Sequence, residues 1–154
     1  MIRTEEVDGV AVVVLDDGEN RLRLDVVTEL LATLDERRAA GGPMVLTGTG
    51  RFFSNGLDVE WMGSAPGDEV GAFFDGLHEV FARLLDHPGV VVAAVNGHAF
   101  GAGAILALAA DLRVQRADRG YLCFPEVDIG LSMTAEFDAV LRAKLAPQPL
   151  LRAL

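Results

Sequence analysis

Between Val90 and Asp111 the chain carries a pattern that few folds accommodate. An apolar run, Val90 to Val95, ends in the turn Asn96-Gly97. Gly101-Ala102-Gly103 then opens a second apolar run, helical in character, that reaches Ala110. A strand feeding a helix through glycines leaves unpaired backbone N–H groups at the helix start, where the dipole is positive. That position suits an oxygen acquiring negative charge, and small side chains let such an oxygen approach the backbone. Close packing is the competing explanation for a Gly/Ala-rich helix start, and on this stretch alone it is the better one.

A second stretch repeats the arrangement. Met44 to Thr47 reads as a short buried strand, followed by the loop Gly48-Thr-Gly-Arg-Phe-Phe-Ser-Asn-Gly-Leu-Asp58. Asp58 is placed to cap a following helical segment. Gly56 precedes Leu57, so the Leu57 N–H can turn outward with no bulky neighbour blocking it. Two such loops can supply one donor each to a single oxyanion. A thioester carbonyl held by two N–H groups becomes enolate-like, and its α-proton becomes removable.

Composition narrows the partners. At 154 residues, 51% hydrophobic and 23% charged, the chain is expected to be one globular domain spanning 1–154 with a real core. A net charge of −10 disfavours nucleic acid or an anionic membrane surface. The longest apolar run, Ala99 to Ala110, is short of the roughly 20 residues that a membrane span needs. No cationic leader opens the sequence, from which a cytoplasmic protein is expected. The single cysteine, Cys123, excludes an internal disulfide and reads as a small buried hydrophobe; His78, His87 and His98 lack metal-ligand spacing.

Periodicity predicts an alternation of strands and helices. Ile2–Glu6 and Val10–Leu15 flank Asp8-Gly9 as a hairpin, and 16–23 reads as a polar loop. Asp25 is expected to cap a helix whose Val26, Val27, Leu30, Leu31 and Leu34 share a face. Pro66-Gly67-Asp68 starts another helix, with Phe73, Phe74, Leu77, Val80, Phe81 and Leu84 as its apolar side. Strands are expected within 111–116 and 121–124, and a helix over 134–145. No internal repeat is visible by inspection. The expected class is α/β.

Arg51-Phe-Phe-Ser-Asn-Gly-Leu-Asp58 and Asn96-Gly-His-Ala-Phe-Gly-Ala-Gly103 resemble the paired oxyanion-hole motifs of the crotonase (enoyl-CoA hydratase/isomerase) superfamily. Tyr121-Leu-Cys-Phe-Pro-Glu-Val-Asp-Ile-Gly-Leu131 resembles the loop that carries the family's catalytic glutamate. The resemblance implies a crotonase-like spiral of ββα units, ending here before the family's C-terminal helical region. It also implies an acyl-CoA substrate, a homotrimer or dimer of trimers, and no cofactor beyond the coenzyme A of the substrate. The implied oxyanion donors are the backbone N–H groups of Leu57 and Ala102. The implied base is Glu126, and the implied substrate pocket draws on Arg21, Arg51, Asn55, Gly56, Gly101, Ile105 and Asp128.

Coenzyme A is anionic and so is this chain, so local cations must hold its phosphates. Arg21, Arg23 and Arg51 are the candidates, with a solvated surface role equally open to each. In hydratases of this family two carboxylates work together, and the position of the first is here Ile105, which exchanges no protons. One carboxylate is what a double-bond shift requires, and the third motif is more similar to Δ3,Δ2-enoyl-CoA isomerases. Asp128, about 6–7 Å along the same face of an extended segment, and Glu136 are the rival bases. Three readings stand: a 3-enoyl-CoA isomerase in fatty-acid breakdown, another crotonase-type enzyme such as a hydratase, or a non-catalytic acyl-CoA-binding paralogue.

Overall fold

Asp8 (φ 51°) and Gly9 (φ 79°) both take the left-handed conformation that a two-residue hairpin turn requires. They join β1 (Ile2–Val7) to β2 (Val10–Leu15) as antiparallel neighbours in the computed structural model, which describes residues 1–126, 130 and 132–147. The chain continues through β3 (Arg21–Leu22), α1 (Leu24–Ala40), β4 (Met44–Gly48), β5 (Phe52–Ser54) and β6 (Gly56–Leu57). Next come α2 (Val59–Ser64), α3 (Gly67–Leu85), β7 (Val91–Val95), β8 (His98–Phe100) and α4 (Ala102–Ala109). Last are β9 (Leu112–Gln115), β10 (Leu122–Cys123) and α5 (Ala135–Lys144).

A long strand, then short ones, then a helix: this order recurs along the chain. The long strands form a five-stranded sheet, β1-β2-β4-β7-β9, parallel from β2 onward. The short strands form two smaller sheets, β10-β8-β5 and β3-β6, again parallel. Parallel neighbours need a crossover, and the helices supply it. The result is the winding of ββα units that the family resemblance implies. The unit repeats in backbone and not in residues, which is why the sequence shows no repeat by eye.

Helix periodicity holds where the helices bury one face. Along α1 the buried residues are Val26, Val27, Leu30 and Leu34, and along α3 they are Phe73, Leu77, Val80, Phe81 and Leu84. Leu31 and Phe74 sit at the margins of those faces and are half-buried. Helix α4 differs, since all eight of its residues are buried. A helix apolar all round belongs inside a core. Arg113 closes its C-terminal end by donating to the Leu108 and Ala110 carbonyls, and Asp111 accepts the Val91 N–H at 2.9 Å. No helix among the described residues is long and apolar enough to cross a membrane.

Two expectations need correction. The polar loop 16–23 contains β3, which exists because Gly56 and Leu57 pair with it from far along the chain. Helix α1 begins before Asp25: its N-cap is Arg23, and no side chain caps it. Asp25 instead lies in the first turn, where its charge meets the positive helix end and its carboxylate accepts the Val26 N–H at 2.9 Å.

Candidate active site

The second loop is built by β8 and the start of α4. Gly101 donates to the Cys123 carbonyl at 2.8 Å, and its own carbonyl accepts from Ala104 and Ile105 at 2.9 and 3.1 Å. Its backbone, φ 49° and ψ −123°, is one that glycine alone takes freely. Ala102 is the first residue of α4, so its N–H has no partner within the helix.

The first loop arrives from the other side. Asn55 donates to Glu19 and Asp58 to Leu22, each at 3.0 Å, while Gly56 donates to the Ser54 hydroxyl oxygen at 3.2 Å. Asn55 and Asp58 face β3 three residues apart, out of step with strand alternation, and Gly56 at φ 78° absorbs the change. Alternation then directs the N–H of Leu57, next to Asp58, away from β3. A Cβ on Gly56 would lie 2.5 Å from the Phe100 carbonyl oxygen and 3.5 Å from the Ala102 nitrogen. The two loops therefore abut, and the glycine is what lets them.

Glu126 closes the arrangement. Its carboxylate lies against Gly101, where an added Cβ would stand 2.8 Å from Oε1. The residue is 6% exposed, and Oε2 is buried without a hydrogen-bond partner. Burial pushes the carboxyl above the usual carboxylate range, against a smaller opposing backbone hydrogen bond. A pocket of about 220 Å³ opens here, lined by Arg21, Asn55, Gly56, Leu57, Val59, Phe100, Gly101, Pro125 and Glu126. Glu126 is the one acid among these lining residues.

Of the residues singled out from sequence, Arg21, Asn55, Gly56, Leu57, Gly101 and Glu126 meet at this pocket. Ala102 does not line it and sits directly behind Gly56 and Gly101, fully buried. Ile105 is in the hydrophobic core and not on the pocket wall, because α4 turns that position inward. Arg51 is not among the lining residues; its guanidinium carbon lies 5.6 Å from the centre of the Phe52 ring. Arg21 pairs with Glu19 at 2.8 Å and reaches Asp58 at 4.0 Å. Arg23 pairs with Asp17 and Asp25 beside a separate open cleft that includes Trp61. Glu136 is exposed, 3.5 Å from His78. Asp128 lies outside the described residues.

Sequence reasoning missed Val59, Phe100 and Pro125 as pocket walls, although each adjoins a motif that was read. It also assigned nothing to Asn20 and Ser54, which with Glu126 are the buried polar residues among the described residues. Asn20 stands in a charged stretch that signals only a loop. Ser54 lies inside the first motif, where burial of its hydroxyl leaves no mark in the sequence.

The chain is similar to known proteins along most of its length. The family described as enoyl-CoA hydratase/isomerase matches residues 5–149. The chain is 41% identical to enoyl-CoA delta isomerase 2, peroxisomal, of Arabidopsis thaliana over 147 residues, covering 90% of this chain and 61% of that one. It is 46% identical over 91 residues to a carnitinyl-CoA dehydratase of Escherichia coli, covering 56% of this chain and 33% of the other. The apo structure of an enoyl-CoA isomerase of Mycobacterium tuberculosis superimposes with a TM-score of 0.89 at 30% identity, over 99% of this chain and 66% of that one. The chain thus spans about three fifths of the length of the Arabidopsis relative.

Proposed function

The chain belongs to the enoyl-CoA hydratase/isomerase family, and from that premise we propose that it shifts the double bond of a 3-enoyl-CoA to the trans-2 position. One observation carries this reading: a buried Glu126 carboxylate with an unpartnered oxygen, unaccompanied by a second acid among the described pocket residues. The thioester carbonyl seats between the N–H groups of Leu57 and Ala102. Glu126 takes the proton from C2, and the charge spreads over a dienolate that the two donors stabilise. The carboxyl, now neutral, returns the proton at C4, and the base is regenerated. A raised pKa suits a group that must both accept and release a proton near neutrality.

Hydration asks more of the site, since one group must orient water while another delivers the proton. The proton shift moves no electrons between molecules, so it calls for neither a metal nor a redox cofactor. In the same reading the chain acts on acyl-CoA of fatty-acid breakdown in the cytoplasm, as a homotrimer or dimer of trimers. Leu112 and Val114, 58% and 64% exposed on the edge strand β9, are apolar surface that association would cover.

Purified chain supplied with a 3-enoyl-CoA should develop the absorbance of a conjugated 2-enoyl thioester without added metal or redox cofactor. A 2-enoyl-CoA should lose that absorbance slowly. Fast loss would move the assignment to hydration. Binding of acyl-CoA with turnover of neither substrate would move it to a non-catalytic binding protein.

A further inference from the structure

Ser54 is 0% exposed, and the proton transfer does not use it. Its hydroxyl donates to the Asn20 carbonyl at 2.7 Å, and the same oxygen accepts the Gly56 N–H at 3.2 Å. On its other side it meets the first turn of α4. A Cβ on Gly103 would come within 2.5 Å of the Ser54 carbonyl oxygen and 2.8 Å of Oγ. One side chain therefore touches the residue before Leu57 and packs against the residue after Ala102.

The peptide planes around Leu57 show what this contact does. Asn55 is anchored through Glu19 and Asp58 through Leu22. Between them stands Gly56, in the left-handed region and with the freest backbone of any residue type. Its N–H has the Ser54 hydroxyl as partner, which fixes the plane on the near side of Gly56. The next plane, which carries the Leu57 N–H, takes its direction from there and from the pairing of Gly56 and Leu57 with β3. The chain N–H to O–H to carbonyl runs in one direction, so each bond polarises the next. Alanine at 54 would leave a buried N–H and a buried carbonyl unsatisfied at the most easily rotated point of the loop.

We propose that Ser54 is a positioning residue whose hydroxyl sets the direction of the Leu57 N–H and its spacing from the Ala102 N–H, and thereby how strongly a bound thioester carbonyl is polarised. The proposal rests on the reading of those two N–H groups as carbonyl donors. A merely structural serine would affect stability and leave polarisation unchanged.

The probe is a coenzyme A thioester of an aryl-conjugated enoic acid, whose absorption moves to longer wavelength when its carbonyl is polarised. Bound to the unaltered chain it should show that shift, and bound at saturation to Ser54→Ala it should lose most of it. Turnover of 3-enoyl-CoA by Ser54→Ala should fall about 10–100-fold in kcat, less than the roughly 10²–10³ of a donor removed outright, with KM little changed. A full shift and near-normal kcat in Ser54→Ala would overturn the proposal alone. No shift in the unaltered chain would overturn the donor reading itself, and this proposal with it. Should Ser54→Ala fail to fold, amide exchange in the unaltered chain decides: a Gly56 N–H held by Ser54 exchanges slowly, and exchange at the rate of an exposed glycine would refute the bond.

Discussion

The two loops that meet at the pocket are held by different physics. In the first, polar side chains grip the backbone. Asn20 Nδ2 donates to the Phe52 and Phe53 carbonyls at 3.1 and 3.2 Å, Asn96 accepts the Gly48 N–H at 3.1 Å, and Ser54 holds Gly56. In the second, Asn96 reaches across to the first loop, and the helix that follows brings no polar side chain. Helix α4 is eight buried residues, every one glycine, alanine, leucine or isoleucine, and its placement comes from packing. Hydrogen bonds fix direction, whereas close packing fixes position and resists any change of volume. The proposed pair of donors, one from each kind of loop, should therefore respond to substitution in two distinguishable ways.

The largest effect is expected between the loops, at Glu126. Glu126→Gln should lower isomerisation by about 10²–10⁴-fold, the usual range for a general base, while both loops continue to polarise a bound thioester. If polarisation disappears as well, Glu126 is a brace for Gly101 and not only a base. The same variant tests the pKa. Burial raises the folded-state pKa above its unfolded value, so the folded chain holds this proton more tightly. Stability from the group is fully present below its unfolded pKa and is lost as pH rises through the raised value. Glu126→Gln should accordingly be more stable than the parent at neutral pH, with the advantage vanishing in acid. Melting curves across pH would show it, and a variant less stable at neutral pH would contradict it.

Next comes the packed loop. Ala102→Pro removes one N–H at the first position of α4, where proline is tolerated structurally, so native-like circular dichroism is expected. Turnover should drop about 10²–10³-fold. Full activity would show that this N–H does not serve the carbonyl, and a complex with a thioester analogue lying beyond hydrogen-bond reach of both Leu57 N and Ala102 N would show it more directly.

The smallest effect belongs to the polar loop at a distance from the chemistry. Asn20→Ala removes the side-chain donor of the buried Phe53 carbonyl, leaves the Phe52 carbonyl to the Asn96 amide, and puts alanine at φ 55°, so unfolding should be easier by about 1–3 kcal/mol. Denaturant titration measures this. A cost near zero would mean that the loop, like α4, is held by packing, and the contrast between the two would fail.

Much of the site was legible because motifs are local. Gly56-Leu57 and Gly101-Ala102 mark the proposed backbone donors through the glycine that each requires, and Glu126 follows a proline in a motif of its own. Asp58 reads as a cap and is one, accepting the Trp61 N–H at 3.1 Å. Ile105 is instructive in the other direction. Its inability to exchange protons is a property of the residue type, yet its direction depends on how α4 is rotated within the core. Arg51 likewise stands inside a motif while its guanidinium lies near the Phe52 ring and does not line the pocket.

What the amino-acid order determined by itself was whatever depends on neighbours within one turn or one hairpin. The Asp8-Gly9 turn, the apolar faces of α1 and α3 and the end of α3 before Pro88 belong here. Only the tertiary structure decided the short strands β3, β5, β6 and β8. Two or three residues carry too little periodicity to declare a strand, and they become one when a partner from a distant segment takes their backbone bonds. The same holds for the site. The gap between Gly56 and the Ala102 nitrogen, and the burial that raises the Glu126 carboxyl, arise from segments 45 and 25 residues apart or more being brought within a few ångströms. Residue order can state which groups are able to meet; the packing of the sheets around α4 settles which do.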